Sequence, residues 1–350
     1  MSVDLPKLRH LKTKSKQSDP LIAPLNVPLT RRLQTLAVIV WGIEPSFLVT
    51  VFLLLCTIPA LWPILIVYVV WVAFDNAPEN GGRRVQWVRE WRLWRYFAGY
   101  FPAEIIKEGD LDANKNYIFA CHPHGIIAVS SILTFATEAL GFSKLYPGIV
   151  PSLLTVANNF RLPFHRDYLL AMGMCNVSRE SCKTILRSGP GRSIAIVVGG
   201  ATESLNSRPG SMNLVLRKRF GFVKVAVETG ASLVPVLAFG EHQLFDQLRN
   251  DAGTWVHRFQ KRTQQIFGWT MPFFHGRGVF NYDIGIMPYR RPLHVVIGEA
   301  IDPPIDAAER NKEEVIQDLH ARYVESLLAL YDKYKDVYDT DRIKELSFVD

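Results

Sequence analysis

The sequence predicts an α/β fold, a mixed or parallel sheet covered by helices, preceded by an N-terminal hydrophobic membrane hairpin. Three observations predict it. Short, near-continuous apolar runs recur from about residue 96 onward, stretches of helical spacing separate them, and one long apolar block stands ahead of them all. The chain has 350 residues, 48% of them hydrophobic and 21% charged, with 40 Lys and Arg against 33 Asp and Glu for a net charge of +7. Such a composition excludes a mainly disordered chain. The four cysteines form no Cys-x-x-Cys pair, which excludes a disulfide scaffold and a thiolate zinc module.

Residues 1–35 carry Lys7, Arg9, Lys12, Lys14, Lys16, Arg31 and Arg32 against Asp4 and Asp19, and read as a polar basic cytosolic arm. The block 36–74 holds a single charge, Glu44. As one straight helix it would run roughly 58 Å, about twice the hydrocarbon thickness of a bilayer. Pro59 and Pro63 divide it where a reversal costs least, so a transmembrane or re-entrant hairpin is expected. Arg83, Arg84, Arg89, Arg92 and Arg95 follow it. With basic residues on both flanks, both termini favour the cytosol, as a hairpin allows and a single crossing does not. A buried core hairpin of a soluble protein is the alternative reading. Residues 75–350 then form a membrane-associated α/β domain.

In that domain the candidate strands are Asn116–Cys121, Ser193–Val198, Leu233–Phe239 and Leu293–Ile297, each rich in Val, Ile, Leu or Phe. Helices are expected over Ile126–Leu140, Arg166–Met174, Arg179–Arg187, Gly221–Thr229 and Glu313–Tyr331. Ligand sites of such sheets collect at the carboxyl ends of strands. There the sequence places His122-Pro123-His124-Gly125, Gly199-Gly200-Ala201-Thr202-Glu203 and Gly240-Glu241-His242.

Two histidines in a strand-to-helix turn lie near backbone N–H groups of a helix start, which keeps an imidazole neutral and able to accept a proton. The same amides, with Gly125 giving the backbone room, can stabilise an oxyanion. The set suits acyl transfer to an alcohol, with His124 or His122 as base and Glu203 accepting the other ring N–H. Three alternatives stand beside it: a metal pair, for which no further ligand has convincing spacing, a purely structural turn, and Cys121 as a covalent nucleophile. There is no Gly-x-Ser-x-Gly elbow, no phosphate-binding P-loop and no dinucleotide fingerprint.

Arg208, Arg217, Lys218, Arg219 and Lys224 form a basic segment able to hold the phosphates of an anionic co-substrate, or else a solvated face. Trp255–Trp269 interleaves aromatics with Arg258, Lys261 and Arg262, which suits a membrane surface or a packed surface helix. Nucleic acid is a poor partner, because phospholipid headgroups are the nearer anions.

These residues resemble those of the type-2 diacylglycerol acyltransferase family, whose members also include monoacylglycerol and wax alcohol acyltransferases. The resemblance runs from about Phe74 to the C-terminus and rests on an ordered series. It comprises Tyr100-Phe101-Pro102, His122-Pro123-His124-Gly125, Asn159-Phe160-Arg161-Leu162-Pro163 with Arg166, Val197–Leu205 including Gly199 and Gly200, Arg219–Glu241, and His275-Gly276-Arg277-Gly278. Outside the histidine turn and the basic segment, these are lipid-substrate or structural motifs. Phe52-Leu53-Leu54-Leu55 also resembles a neutral-lipid pattern, with little information inside an apolar span. The resemblance implies a glycerolipid acyltransferase-like fold and an enzyme of the endoplasmic reticulum membrane and lipid droplet. Its substrates would be acyl-CoA and diacylglycerol, with no cofactor and no metal; a homo-oligomer stays open. More distant glycerophospholipid acyltransferases have Asp four residues after the histidine. Here Ile126 and Ala128 hold those places, which points to Glu203 as the distant carboxylate.

Overall fold

The computed structural model describes residues 26–247, 262, 274–282, 284–304 and 313–349. The apolar block folds as expected into two helices, α1 (Leu29–Cys56) and α2 (Trp62–Phe74), joined through one 3-10 turn at Pro59–Leu61. Pro63 falls in the first turn of α2, where its missing N–H is not needed. The indole of Trp62 donates to the Cys56 carbonyl at 2.9 Å and closes the C-terminal end of α1. Segments Leu29–Cys56 and Pro59–Glu79 are each long and apolar enough to cross a membrane. Phe47, Leu53, Ile64 and Val67 face outward uncovered, as lipid-facing side chains do. The helix starts earlier than the apolar run, so Arg31 and Arg32 stand on its first turn rather than in the arm.

Only one face of the first half of α1 is covered. Ala37 and Val38 pack against α3 (Arg92–Tyr100), with the rings of Trp41 and Phe97 5.1 Å apart. Further along, polar contacts fix the hairpin to α4 (His165–Ala171). The lone charge Glu44 meets His165 Nδ1 at 3.0 Å. The Tyr68 hydroxyl donates to Asp167 at 2.5 Å and accepts from the Phe164 amide at 2.8 Å. Past α2, Asp75 pairs with Arg166 at 2.6 Å. Arg166 also donates to the Phe160 carbonyl at 3.1 Å, and the Pro163 carbonyl accepts from the His165 amide at 2.7 Å. The motif around Phe160, Pro163 and Arg166 is thus the socket for the hairpin.

A seven-stranded sheet forms the centre of the domain. Its strands are β1 (Ala103–Lys107), β2 (Tyr117–His122), β3 (Val150–Thr155), β4 (Met174–Asn176), β5 (Arg192–Val197), β6 (Ser232–Phe239) and β7 (Leu293–Ile297). The order is β1-β7-β6-β2-β5-β3-β4, parallel throughout except between β7 and β6. Strand β2 is buried on both faces, which explains its unbroken apolar run. Tyr117, Phe119 and Cys121 enter the core shared with α1 and α3. Ile118 and Ala120 enter the core shared with α5 (Arg179–Leu186), α7 (Gly221–Thr229) and α8 (Glu313–Tyr338).

The four expected strands are present within one residue, and Gly221–Thr229 is a helix as read. Strands β1, β3 and β4 and helix α3 were not anticipated, and α8 runs on to Tyr338. The expected helix Ile126–Leu140 is instead a short turn at Val129–Ser131 followed by a π-turn at Ile132–Ala136. Trp255–Trp269 lies outside the described residues apart from Arg262.

Candidate active site

The His122–Gly125 turn leaves the carboxyl end of β2, between β5 and β6, and two buried carboxylates hold it from opposite sides. Glu203 comes from α6 (Gly200–Asn206), after β5. One of its oxygens accepts the His124 amide at 2.7 Å and the other the Val215 amide at 2.8 Å. Glu241, after β6, accepts the amides of Val129 and Ser130 at 2.9 and 2.8 Å. Both side chains are 2% exposed. Burial raises the Glu241 carboxyl above its ordinary value, opposed by the bonds from Ser130 and Val129.

Two glycines make the clamp fit. A β-carbon on Gly125 would lie 2.7 Å from Glu241 Cγ, and the residue has φ +59°. A β-carbon on Gly199 would lie 1.8 Å from the Glu203 carboxyl carbon. Any side chain at either position displaces a glutamate. Gly200 adopts φ +57° at the start of α6.

The two histidines differ sharply. His122 is 0% exposed and faces α8, where its Nε2 lies 3.0 Å from the Tyr323 hydroxyl. That hydroxyl donates to the Ala120 carbonyl at 3.1 Å, so its oxygen accepts from a His122 Nε2–H. Nδ1 of His122 is then proton-free, and it has no partner among the described residues. Burial drives this imidazole down to about 3, so it is neutral at physiological pH. His124 remains partly open to solvent, with Nδ1 3.2 Å from the Gly125 carbonyl. Its affinity for a proton is also lowered by burial.

Three corrections follow. Glu203 is bonded to the His124 backbone, not to an imidazole N–H as expected. The helix-start amides of Val129 and Ser130 are occupied by Glu241. Among the described residues, the amides still open in the turn are those of Gly125, Ile126 and Ile127. Cys121 is 2% exposed, and burial pushes its thiol up to about 12, which removes it as a nucleophile.

Of the five basic residues expected to act together, Arg219 and Lys224 line a cleft of about 300 Å³ at the carboxyl edge of β5, joined by Arg179. Arg208, Arg217 and Lys218 lie outside it; Arg217 stacks over Phe348 at 5.5 Å. Tyr100 and Phe101 are buried, with the Tyr100 hydroxyl donating to the Pro288 carbonyl at 2.6 Å, and Pro102 leads into β1. His275 is exposed, 3.6 Å from Asp246, and Arg277 is buried over the Tyr282 ring. Tyr323 was missed: it lies 201 residues from His122 on a helix whose pattern signals only packing.

The match with known proteins decides the family. A family model described as diacylglycerol acyltransferase matches residues 52–349. The chain belongs to the diacylglycerol acyltransferase family. It is 53% identical to diacylglycerol O-acyltransferase 2A of Umbelopsis ramanniana, over 98% of this chain and 99% of that one. It is 43% identical to diacylglycerol O-acyltransferase 2 of Bos taurus, over 87% and 86% of the two chains. A 2-acylglycerol O-acyltransferase 1 of Bos taurus is 42% identical over 93% and 98%. Among solved structures, the 1-acyl-sn-glycerophosphate acyltransferase PlsC of Thermotoga maritima aligns with a TM-score of 0.39 at 13% identity, covering 83% of this chain and 97% of that one.

Proposed function

We propose that this family member is an acyl-CoA-dependent O-acyltransferase that esterifies diacylglycerol to triacylglycerol, with His124 as general base. The observation that carries the mechanism is the turn itself: a neutral, partly open His124 held by its own amide on Glu203, beside the open amides of Gly125 and Ile126. His124 takes the proton of the acceptor hydroxyl as that oxygen attacks the thioester carbonyl carbon. The resulting oxyanion is stabilised by the amides of Gly125 and Ile126. Collapse breaks the C–S bond, forms the ester, and returns the proton from His124 to the CoA thiolate. His122, sealed and tied to Tyr323, supports the turn from the helix side. Arg179, Arg219 and Lys224 carry the CoA phosphates, and the acceptor arrives from the lipid side along the hairpin. The enzyme works at the endoplasmic reticulum membrane and lipid droplet surface, with both termini cytosolic and anionic phospholipid around its basic flanks.

Monoacylglycerol is the second acceptor, favoured by the 42% identity to a 2-acylglycerol O-acyltransferase. Microsomes containing the chain, supplied with labelled oleoyl-CoA and diacylglycerol, monoacylglycerol or hexadecanol in turn, separate these readings. Triacylglycerol as main product supports the first. Label found mainly in diacylglycerol or wax ester reassigns the acceptor, and no ester from any acceptor leaves a lipid-binding or droplet-anchoring protein.

A further inference from the structure

The segments carrying Arg277 and Arg290 line a cleft of about 750 Å³ beside the first turn of α1. Arg31 and Arg32 enter it from the first turn of α1, and Arg277, Arg290 and Arg291 from the segments ahead of β7. Among the described residues no Asp or Glu lines it. Arg277 donates to the Gly278 carbonyl at 3.2 Å. Arg290 donates to Gln34 at 2.7 Å, to Thr35 at 3.1 Å and to the Arg31 carbonyl at 3.1 Å. Every one of these acceptors is neutral. The guanidinium groups of Arg277 and Arg290 each lie 4.1 Å from a ring centre, of Tyr282 and Tyr100, which fixes them without cancelling their charge.

Two further facts favour an anion at this place. Helix α1, 28 residues long, begins at Pro28 with no side-chain cap and no acidic residue in its first turn. The positive end of its dipole and the Arg31 side chain therefore lie at one place, which favours an anion there. Arg277 is only 8% exposed, and burial with the cations of Arg31 and Arg277 lowers Arg290 to about 10. The far end of the cleft is apolar, lined by Leu36, Ile39, Val279 and Phe280.

We infer that this cleft binds an anionic phospholipid, its phosphate among the arginines and its acyl chains along α1. An acyl-CoA is also an amphiphile with phosphates. No residue of the His122–Gly125 turn lines this cleft, however, and the carboxyl edge of the sheet offers its own cations.

The test uses full-length protein in a neutral detergent. Its Tm is measured with dioctanoyl phosphatidate, dioctanoyl phosphatidylcholine or CoA. Saturating phosphatidate raises Tm by on the order of 5 °C and the choline lipid does not. Arg31 and Arg291 are exposed, so Arg31→Gln with Arg291→Gln leaves the ligand-free Tm in place and removes the phosphatidate shift. Arg291→Gln alone weakens phosphatidate roughly tenfold. A charge-matched pair elsewhere, Arg187→Gln with Arg322→Gln, keeps the full shift. An equal phosphatidate shift in wild type and the Arg31/Arg291 variant overturns the proposal. So does a variant that keeps the phosphatidate shift and loses one produced by CoA, which would give the cleft to the acyl donor.

Discussion

Carboxylates hold two regions of this molecule, and they hold them differently. At the histidine turn, Glu203 and Glu241 accept backbone amides, and the geometry depends on no cation. At the hairpin socket, Glu44, Asp75 and Asp167 accept from the side chains of His165, Arg166 and Tyr68. A backbone clamp fixes a loop at ångström precision and leaves the nearby imidazole uncharged. A set of side-chain pairs joins two separately folded pieces, and each pair can be removed alone. Changes at the turn should therefore abolish chemistry while the hairpin stays docked, and changes at the socket should loosen docking first.

The largest expected effect is at the proposed base. His124→Ala should lower kcat about 10²- to 10⁴-fold with unchanged protein abundance; near-normal turnover in purified enzyme would move the base elsewhere. The pH profile sharpens the same point. Because burial lowers the His124 proton affinity, the neutral base persists as pH falls, and the acid limb of kcat/KM should lie below about 6.5. A limb above that value would mean that a neighbouring anion, not burial, controls the ring. Next, Gly125→Ala must accept φ +59° and a β-carbon 2.7 Å from Glu241 Cγ. The expected cost is about 3 kcal/mol, read as lost activity and a lower Tm together. Activity retained at a lowered Tm would show that the clamp serves stability alone.

Arg166→Gln is the corresponding break at the socket. It strips Asp75 of one partner and leaves Arg83, a stability loss of about 2 kcal/mol read as a lower Tm in detergent. Acyl transfer measured below the transition should fall much less than in Gly125→Ala. An equal fall in both would mean that turn and socket are one cooperative unit. Glu203→Gln comes after it. Glutamine keeps one acceptor oxygen and turns a donor toward the other amide, so kcat should drop about tenfold with the acyl-CoA KM little changed. A change confined to KM would make Glu203 part of donor binding.

How much of this could be read ahead follows from the range of the interactions involved. The apolar block, the strands buried on both faces and the histidine turn are local patterns, and each was legible. Strand β4 is three residues long and β1 reads Ala-Glu-Ile-Ile-Lys, too short or too polar to stand out from a loop. The helix expected from Ile126 failed because Glu241, 111 residues beyond Ser130, captures its first amides and starts a turn instead. Glu203 was read from its cluster at a strand end, but its contact was assigned to a ring when it belongs to a backbone amide. Sequence shows that a carboxylate is present and not which donor it meets. The arginine cleft joins residue 31 to residue 291, and no local window contains it.

The smallest effect should come from Tyr68→Phe. The Tyr68 hydroxyl bridges Asp167 at 2.5 Å and the Phe164 amide at 2.8 Å, and Phe164 holds φ +63°. Phenylalanine keeps the ring contacts, 5.3 Å to Phe164 and 6.3 Å to Phe52. Asp167 is 36% exposed and can recover water as its partner. The loss is thus one bridged hydroxyl, about 1 kcal/mol of stability read as a slightly lower Tm, with turnover unchanged. A loss as large as that of Arg166→Gln would place the strained Phe164 backbone, rather than the Asp75 ion pair, at the centre of the joint. The hairpin would then be held by the same means as the turn, a backbone amide captured by a side chain.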